Sequence, residues 1–240
     1  MSASLFPDHL RAEYDKRVLD AKARSAKAAQ LQSALIAVGL WQPPRWILDV
    51  GCGSALILAG LDTPNAKRIG CDMRREPFLK AGVDRASVAF AQCDARYLPF
   101  RGDRFDLVLC LAVIAEFQDW RATVERMAEC VAPGGVLYVT VTNGKLLVPL
   151  YNLFEKLGVR VEEGWWHYAQ SSLRFASLSA PDGFRLKALH GWRNVAVTPY
   201  LARAQCALLR FVPIFALSWL LQFVAPSFGY AWQRPNSSGS

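Results

Sequence analysis

Three aspartates stand where apolar runs break off: Asp49 in ILDVGCGSA, Asp72 in IGCDM and Asp94 in CDARYLPF. In an open α/β sheet, ligands bind beyond the carboxyl ends of the strands, so acids at such ends are candidate ligand groups. Gly51 and Gly53 let the backbone turn tightly and approach a ligand without a Cβ in the way. Asp72 is suited to a ribose diol, because each carboxylate oxygen accepts from a hydroxyl. Asp94 is suited to accept from an adenine amino group. Together they describe a nucleoside lying across three strand ends. The pattern DxGxGxA places its acid ahead of the first glycine, where it repels phosphate and welcomes an amino group or a sulfonium. The dinucleotide fingerprint GxGxxG needs a glycine where Leu56 stands, and no Gly-Lys-Ser/Thr phosphate loop follows. A nicotinamide-dependent reductase therefore lacks its helix-packing glycine.

Strands and helices alternate around these acids. Trp46 to Val50, Arg68 to Cys71, Val88 to Cys93, the apolar run FDLVLCLA from Phe105 to Ala112, and VLYVTVT from Val136 to Thr142 are expected strands. Ser54 is expected to cap a helix through Leu61, and Glu76 to Ala81 forms another. Trp120, Val124, Met127 and Val131 share one face of a helix that Pro133-Gly134-Gly135 stops. Residues 10–40 are expected to be helical, with Leu31, Leu35 and Ile36 on one face and Gln42-Pro43-Pro44 ending it. A helix near 147–157, a strand from Gly183 to Trp192 and a closing strand at 228–233 complete the pattern. Strands joined by helices imply right-handed parallel crossovers. The fold class expected is α/β: a Rossmann-like, doubly wound, seven-stranded sheet, mostly parallel with an antiparallel edge hairpin. It divides into an N-terminal helical lid (1–44), a core (45–142), an acceptor cap carrying the last two strands (143–233) and a disordered tail (234–240).

Hydrophobic residues make up 52% of the 240, enough for a sizeable core. The net charge of +8 permits contact with anions, but the N-terminal concentration of Arg11, Lys16, Arg17, Lys22, Arg24 and Lys27 is interrupted by acids and alanines, as on a solvated helix face. Six cysteines form no CxxC pair, so neither a zinc site nor any other metal is expected, and small core residues in a reducing compartment account for them. The first residues, MSASLFPDHLRAEYDK, show no apolar signal region, so a cytoplasmic location is expected.

With ILDVGCGSA, IGCDM, CDARYLPF, Asp103-Arg104-Phe105-Asp106 and Ala132-Pro133-Gly134-Gly135 in that order, the chain resembles the class I S-adenosylmethionine-dependent methyltransferases, of the small-molecule, methyltransferase-11-like type. The resemblance covers about residues 45–142 and continues more weakly to 192. It implies S-adenosyl-L-methionine as cofactor, with contacts from Asp49, Gly51, Gly53, Asp72, Met73, Asp94, Ala95 and Leu111. By that analogy Asp49 and the two glycines hold the methionine end, Asp72 the ribose, and Asp94 with the Ala95 amide the adenine. Leu111 and Ala112 lie beside the sulfonium. Two positions depart from the family pattern: Ala55 replaces a third glycine, and Glu116-Phe117 stands where Glu-His is frequent, which removes a general base.

Methyl transfer requires the protein mainly to align the reacting atoms and exclude water. No Asn/Asp-Pro-Pro-Tyr/Phe motif follows the fourth strand, which disfavours nucleic-acid bases as acceptors. His167, among Trp165, Trp166 and Tyr168, is the candidate base; His190, inside a strand, is expected to be structural, and Tyr14 to belong to the lid. From Phe211 to Gln233 no residue is charged. Three readings of that run stay open: core helices, an apolar acceptor pocket or membrane-surface contact through 204–227, and a membrane span. Arg203 and Arg210 would suit anionic headgroups. The expected function is methylation of a small or lipid-linked acceptor at oxygen or carbon. The alternative is a catalytically inactive, methyltransferase-like partner subunit.

Overall fold

The computed structural model describes residues 15, 18–100, 102–158, 179–192 and 227–236. Seven strands form one sheet: β1 (Trp46–Val50), β2 (Lys67–Asp72), β3 (Ala89–Gln92), β4 (Phe105–Leu111), β5 (Val131–Thr142), β6 (Arg185–Trp192) and β7 (Ser227–Gln233). Their order is β3-β2-β1-β4-β5-β7-β6. The pairs from β3 to β5 are parallel; β7 runs antiparallel to both β5 and β6. The expected doubly wound sheet with an antiparallel edge hairpin is thus present. Strand order reverses beside β1, between β2 and β4, which is where such sheets open a crevice at their carboxyl ends.

Helices cover both faces. On one face α1 (Ala21–Ala37) contributes Ala28, Leu31 and Leu35, and α2 (Leu56–Ala59) contributes Ile57 and Leu58, against Ile47, Leu107, Leu109 and Tyr138. On that same side Phe78 of α3 (Glu76–Ala81) stacks on Phe90 at 4.7 Å. On the other face α4 (Trp120–Ala128) packs Val124 and Met127 against Leu48, Val50, Val108 and Leu137. The alternation of β1 explains its acid. Ile47 and Asp49 share a face, so Asp49 points to the α1 side, one residue from the strand end. The amphipathic helix α5 (Gly144–Lys156) follows β5 directly.

Several expectations change. Among the described residues Asp15 and Val18 are helical and a helix covers Ala21–Ala37, so the expected 10–40 helix is interrupted at Leu19-Asp20, where the Asp20 side chain caps the second stretch by accepting from the Ala23 amide. It ends before the prolines: Gly39 turns the chain at φ +71°, and the amides of Leu40 and Trp41 donate to the Leu35 carbonyl. Ile36 is exposed rather than beside Leu31 and Leu35, since it lies 100° around the helix from Leu35. Ser54 caps nothing. Its hydroxyl donates to the Val18 carbonyl at 2.5 Å, and Ala55, in the left-handed region, precedes α2 without a side-chain cap. Helix α4 ends at Ala128, so Pro133-Gly134-Gly135 does not stop it. Instead these residues bulge at the start of β5, where the register shifts between Phe105 and Leu107, and Gly134 and Gly135 bond the backbone of Arg234.

The uncharged run from Phe211 is divided. Its last seven residues, Ser227–Gln233, are β7, with Trp232 fully buried in the sheet. The remainder, 211–226, lies outside the described residues, and so do the three readings of it. Among the described residues no helix is long and apolar enough to cross a membrane. Tyr14, His167 with its aromatic neighbours, Arg203, Arg210 and Cys206 lie outside the described residues.

Candidate active site

The loops after β1, β2 and β3 are stitched together at the carboxyl rim. The amides of Gly51 and Cys52 donate to the Cys71 carbonyl at 2.8 and 3.0 Å. The Gly53 amide donates to Asp72 Oδ2 at 2.9 Å, the Arg74 amide to Asp72 Oδ1 at 2.9 Å, and the Cys93 amide to the Asp72 carbonyl at 3.1 Å. Gly51 turns at φ +74°, and a Cβ there would fall 2.4 Å from the Val113 side chain. Glycine is therefore required by both backbone and packing, with the first loop pressed against the residues after β4. Gly53, Ala55 and Ala112 are also left-handed, at φ 53°, 56° and 60°. Ala112 is held there by its amide, which donates to Thr140 Oγ1 at 2.9 Å.

Asp49 is buried, at 2% exposure, and its Oδ1 has no hydrogen-bond partner among the described residues. Burial first, then the neighbouring Asp72 charge, push its pKa from 3.8 up to about 7, opposed by the charge of Arg24. Burial also raises Asp72, against the amides of Arg74 and Gly53, which favour its carboxylate. Two adjoining carboxyls, Asp49 buried and Asp72 half-buried, one with an acceptor unfilled among the described residues, form a site that favours a cationic ligand group. A carboxylate offers about four acceptor positions. The Gly53, Arg74 and Met73 amides favour the Asp72 carboxylate and still leave room for a hydroxyl donor.

Asp94 behaves differently. Its oxygens accept from the Arg96 guanidinium at 3.0, 3.0 and 2.5 Å and from the Arg96 amide at 2.9 Å, and this pairing holds its pKa low. Arg96, unforeseen in the sequence, therefore competes with an adenine amino group for Asp94. Ala95 is buried behind the turn that Asp94 caps, and Met73 is exposed at the rim. Leu111 closes β4, with Glu116 and Phe117 at the turn beyond it. The five described cysteines are free thiols, and among the described residues no cluster could hold a metal. Cys71 and Cys93 share a hydrogen bond that raises the first and lowers the second.

The residues that the sequence reading left out at this rim are Arg24, Arg74, Arg96, Val18 and Thr140. Thr140 interrupts an apolar strand and could have been noticed. Arg74 and Arg96 each follow an acid of the rim by two residues and could have been noticed too, whereas Val18 and Arg24 reach it only through tertiary contacts.

Asp49, Gly51, Gly53, Asp72 and Leu111 thus converge at the switch point of the sheet, and the donor set fits an adenosine bearing a cationic amino-acid tail. Comparison with known proteins agrees. Residues 48–139 match the family model described as a methyltransferase domain. A ubiquinone biosynthesis O-methyltransferase from Chelativorans sp. is 30% identical over 107 residues, 42% of this chain and 41% of that protein. One from Psychrobacter cryohalolentis is 26% identical over 197 residues, covering 79% and 71%. The first such relatives are thus matched over about two fifths of their length. The plantazolicin methyltransferase BpumL, solved with a monoazolic desmethylPZN analogue and SAH, shares the fold at a TM-score of 0.60 and 16% identity, over 95% of this chain and 90% of that one. The domain at the centre of this chain belongs to the class I S-adenosylmethionine-dependent methyltransferases.

Proposed function

We propose that this chain is an active S-adenosylmethionine-dependent methyltransferase whose acceptor is a small or lipid-linked molecule methylated at oxygen or carbon. One observation carries the reading: the buried, partnerless oxygen of Asp49 beside Asp72, at the switch point of the sheet. Bound there, the cofactor's sulfonium supplies a methyl group already activated for in-line displacement. Asp49, once ionised, receives the cationic amine. Asp72 accepts from the ribose hydroxyls while the Gly53 and Arg74 amides keep its carboxylate oriented. Asp94 reads the adenine once Arg96 shares or leaves it. Leu111 and Ala112 border the reacting end, and His167 remains the candidate base from sequence alone.

An apolar acceptor is supported by the relatives named for ubiquinone biosynthesis and by the uncharged 211–226 segment. We place the chain in the cytoplasm, meeting the membrane surface through 204–227. Incubation of the full chain with methyl-tritiated cofactor and a bacterial extract tests this. Label should enter the organic phase. Label confined to protein or nucleic acid, or no transfer, would contradict it.

A further inference from the structure

The Asp15 carboxylate accepts two bonds from the Arg74 guanidinium, at 2.9 and 3.2 Å, and lies 3.5 Å from Lys80 Nζ. Both side chains are half-buried, at 27% exposure for Arg74 and 16% for Asp15. The amide of Arg74 holds Asp72, which in turn holds the Gly53 amide. The next residue, Ser54, donates to the Val18 carbonyl three positions beyond Asp15. These contacts close a circuit: Asp15 to Arg74, Asp72, Gly53, Ser54, Val18 and back along the chain. It joins the residues leading into α1 to both candidate cofactor loops. Among the contacts between that segment and the rim, the Asp15–Arg74 pair is charged and bidentate, so it resists separation more than a neutral bond would.

We propose that Arg74 is a positioning residue: its amide orients Asp72, and its guanidinium, paired with Asp15, ties the N-terminal segment to the rim and slows cofactor release. The proposal rests on the methyltransferase reading. It predicts an effect on dissociation rather than association, because the bound ligand lies against residues that the circuit connects.

The test measures S-adenosylhomocysteine release from the full chain by stopped flow, for wild type, Asp15→Asn, Arg74→Gln and the double variant. Neither replacement removes a backbone N–H, so Asp72 keeps both amide donors. Each single variant should release the ligand about fivefold faster with association nearly unchanged, and the double no faster than either single. The wild-type release rate should rise with salt, and that of the variants should not. Single variants that release at the wild-type rate, or a double variant in which the two effects multiply, would overturn the proposal. A wild type that binds no S-adenosylhomocysteine would overturn the methyltransferase reading with it; binding with unaltered release would overturn this inference alone.

Discussion

The two rims of the sheet treat polar groups in opposite ways. At the amino rim, Asp106 Oδ2 accepts from the amides of Arg45 and Trp46 at 2.8 and 2.9 Å. The Arg104 guanidinium lies 3.9 Å from the Trp46 ring centre and Lys67 Nζ 4.8 Å, while Phe105 meets the same ring edge-on. Both cations are exposed, and the acid's Oδ2 is satisfied by two backbone amides some sixty residues earlier in the chain. At the carboxyl rim a carboxyl is buried with an oxygen unsatisfied, and Gly51, Gly53, Ala55 and Ala112 hold left-handed backbone. Left-handed backbone also occurs at the amino rim, at Asp103 and Gly134, so the difference rests on the unpaired buried oxygen, which carries a cost and persists where the surroundings over-determine it. The amino rim is thus organised for stability, and the carboxyl rim gives up stability to present a ligand site.

Substitutions at the two rims should therefore separate folding from binding. Gly51→Ala forces a Cβ into Val113 at positive φ and should cost about 3 kcal/mol of stability in denaturant unfolding. Asp72→Ala removes the proposed ribose acceptor and leaves the Gly53 and Arg74 amides without their partner. Affinity for S-adenosylhomocysteine should fall about 100-fold, with a smaller loss of stability. Asp106→Ala, at the other rim, should lower stability by about 1.5 kcal/mol and leave calorimetric affinity unchanged. A comparable loss of affinity there would erase the distinction between the rims. Ala55→Gly relieves a left-handed alanine but removes a buried methyl, so stability should change by less than about 1 kcal/mol in thermal melts.

The carboxyl rim was legible in the sequence because its signals are local. A strand that ends on an acid and then glycines names its own position, and Asp49, Asp72 and Leu111 fall at the strand ends expected of them. Glu76–Ala81 and Trp46–Val50 match to the residue because their breakers are adjacent in sequence, whereas the helix read by its period, Trp120 to Val131, ends at Ala128 and Val131 opens β5. What failed depends on partners far along the chain. Ser54 looks like a cap until Val18, 36 residues away, takes its hydroxyl. Pro133-Gly134-Gly135 looks like a helix stop until the return of Arg234 turns it into a strand bulge. Asp94 looks free for adenine, yet Arg96 lies two residues away. That pairing is visible in the run CDAR, where an acid and an arginine stand two residues apart.

Proton linkage at Asp49 tests the central claim most directly. Its folded pKa of about 7 lies above the unfolded value of 3.8. The stability of the ligand-free protein that comes from the protonated carboxyl is therefore fully present below about pH 4 and lost as pH rises through about 7. A cationic amine on Asp49 favours the carboxylate, so binding must expel the proton. Titration of S-adenosylhomocysteine into the full chain at pH 7, in buffers of different ionisation enthalpy, should show one-to-one binding with release of about half a proton, absent in Asp49→Asn. No binding, or heats that do not depend on the buffer, would contradict the account.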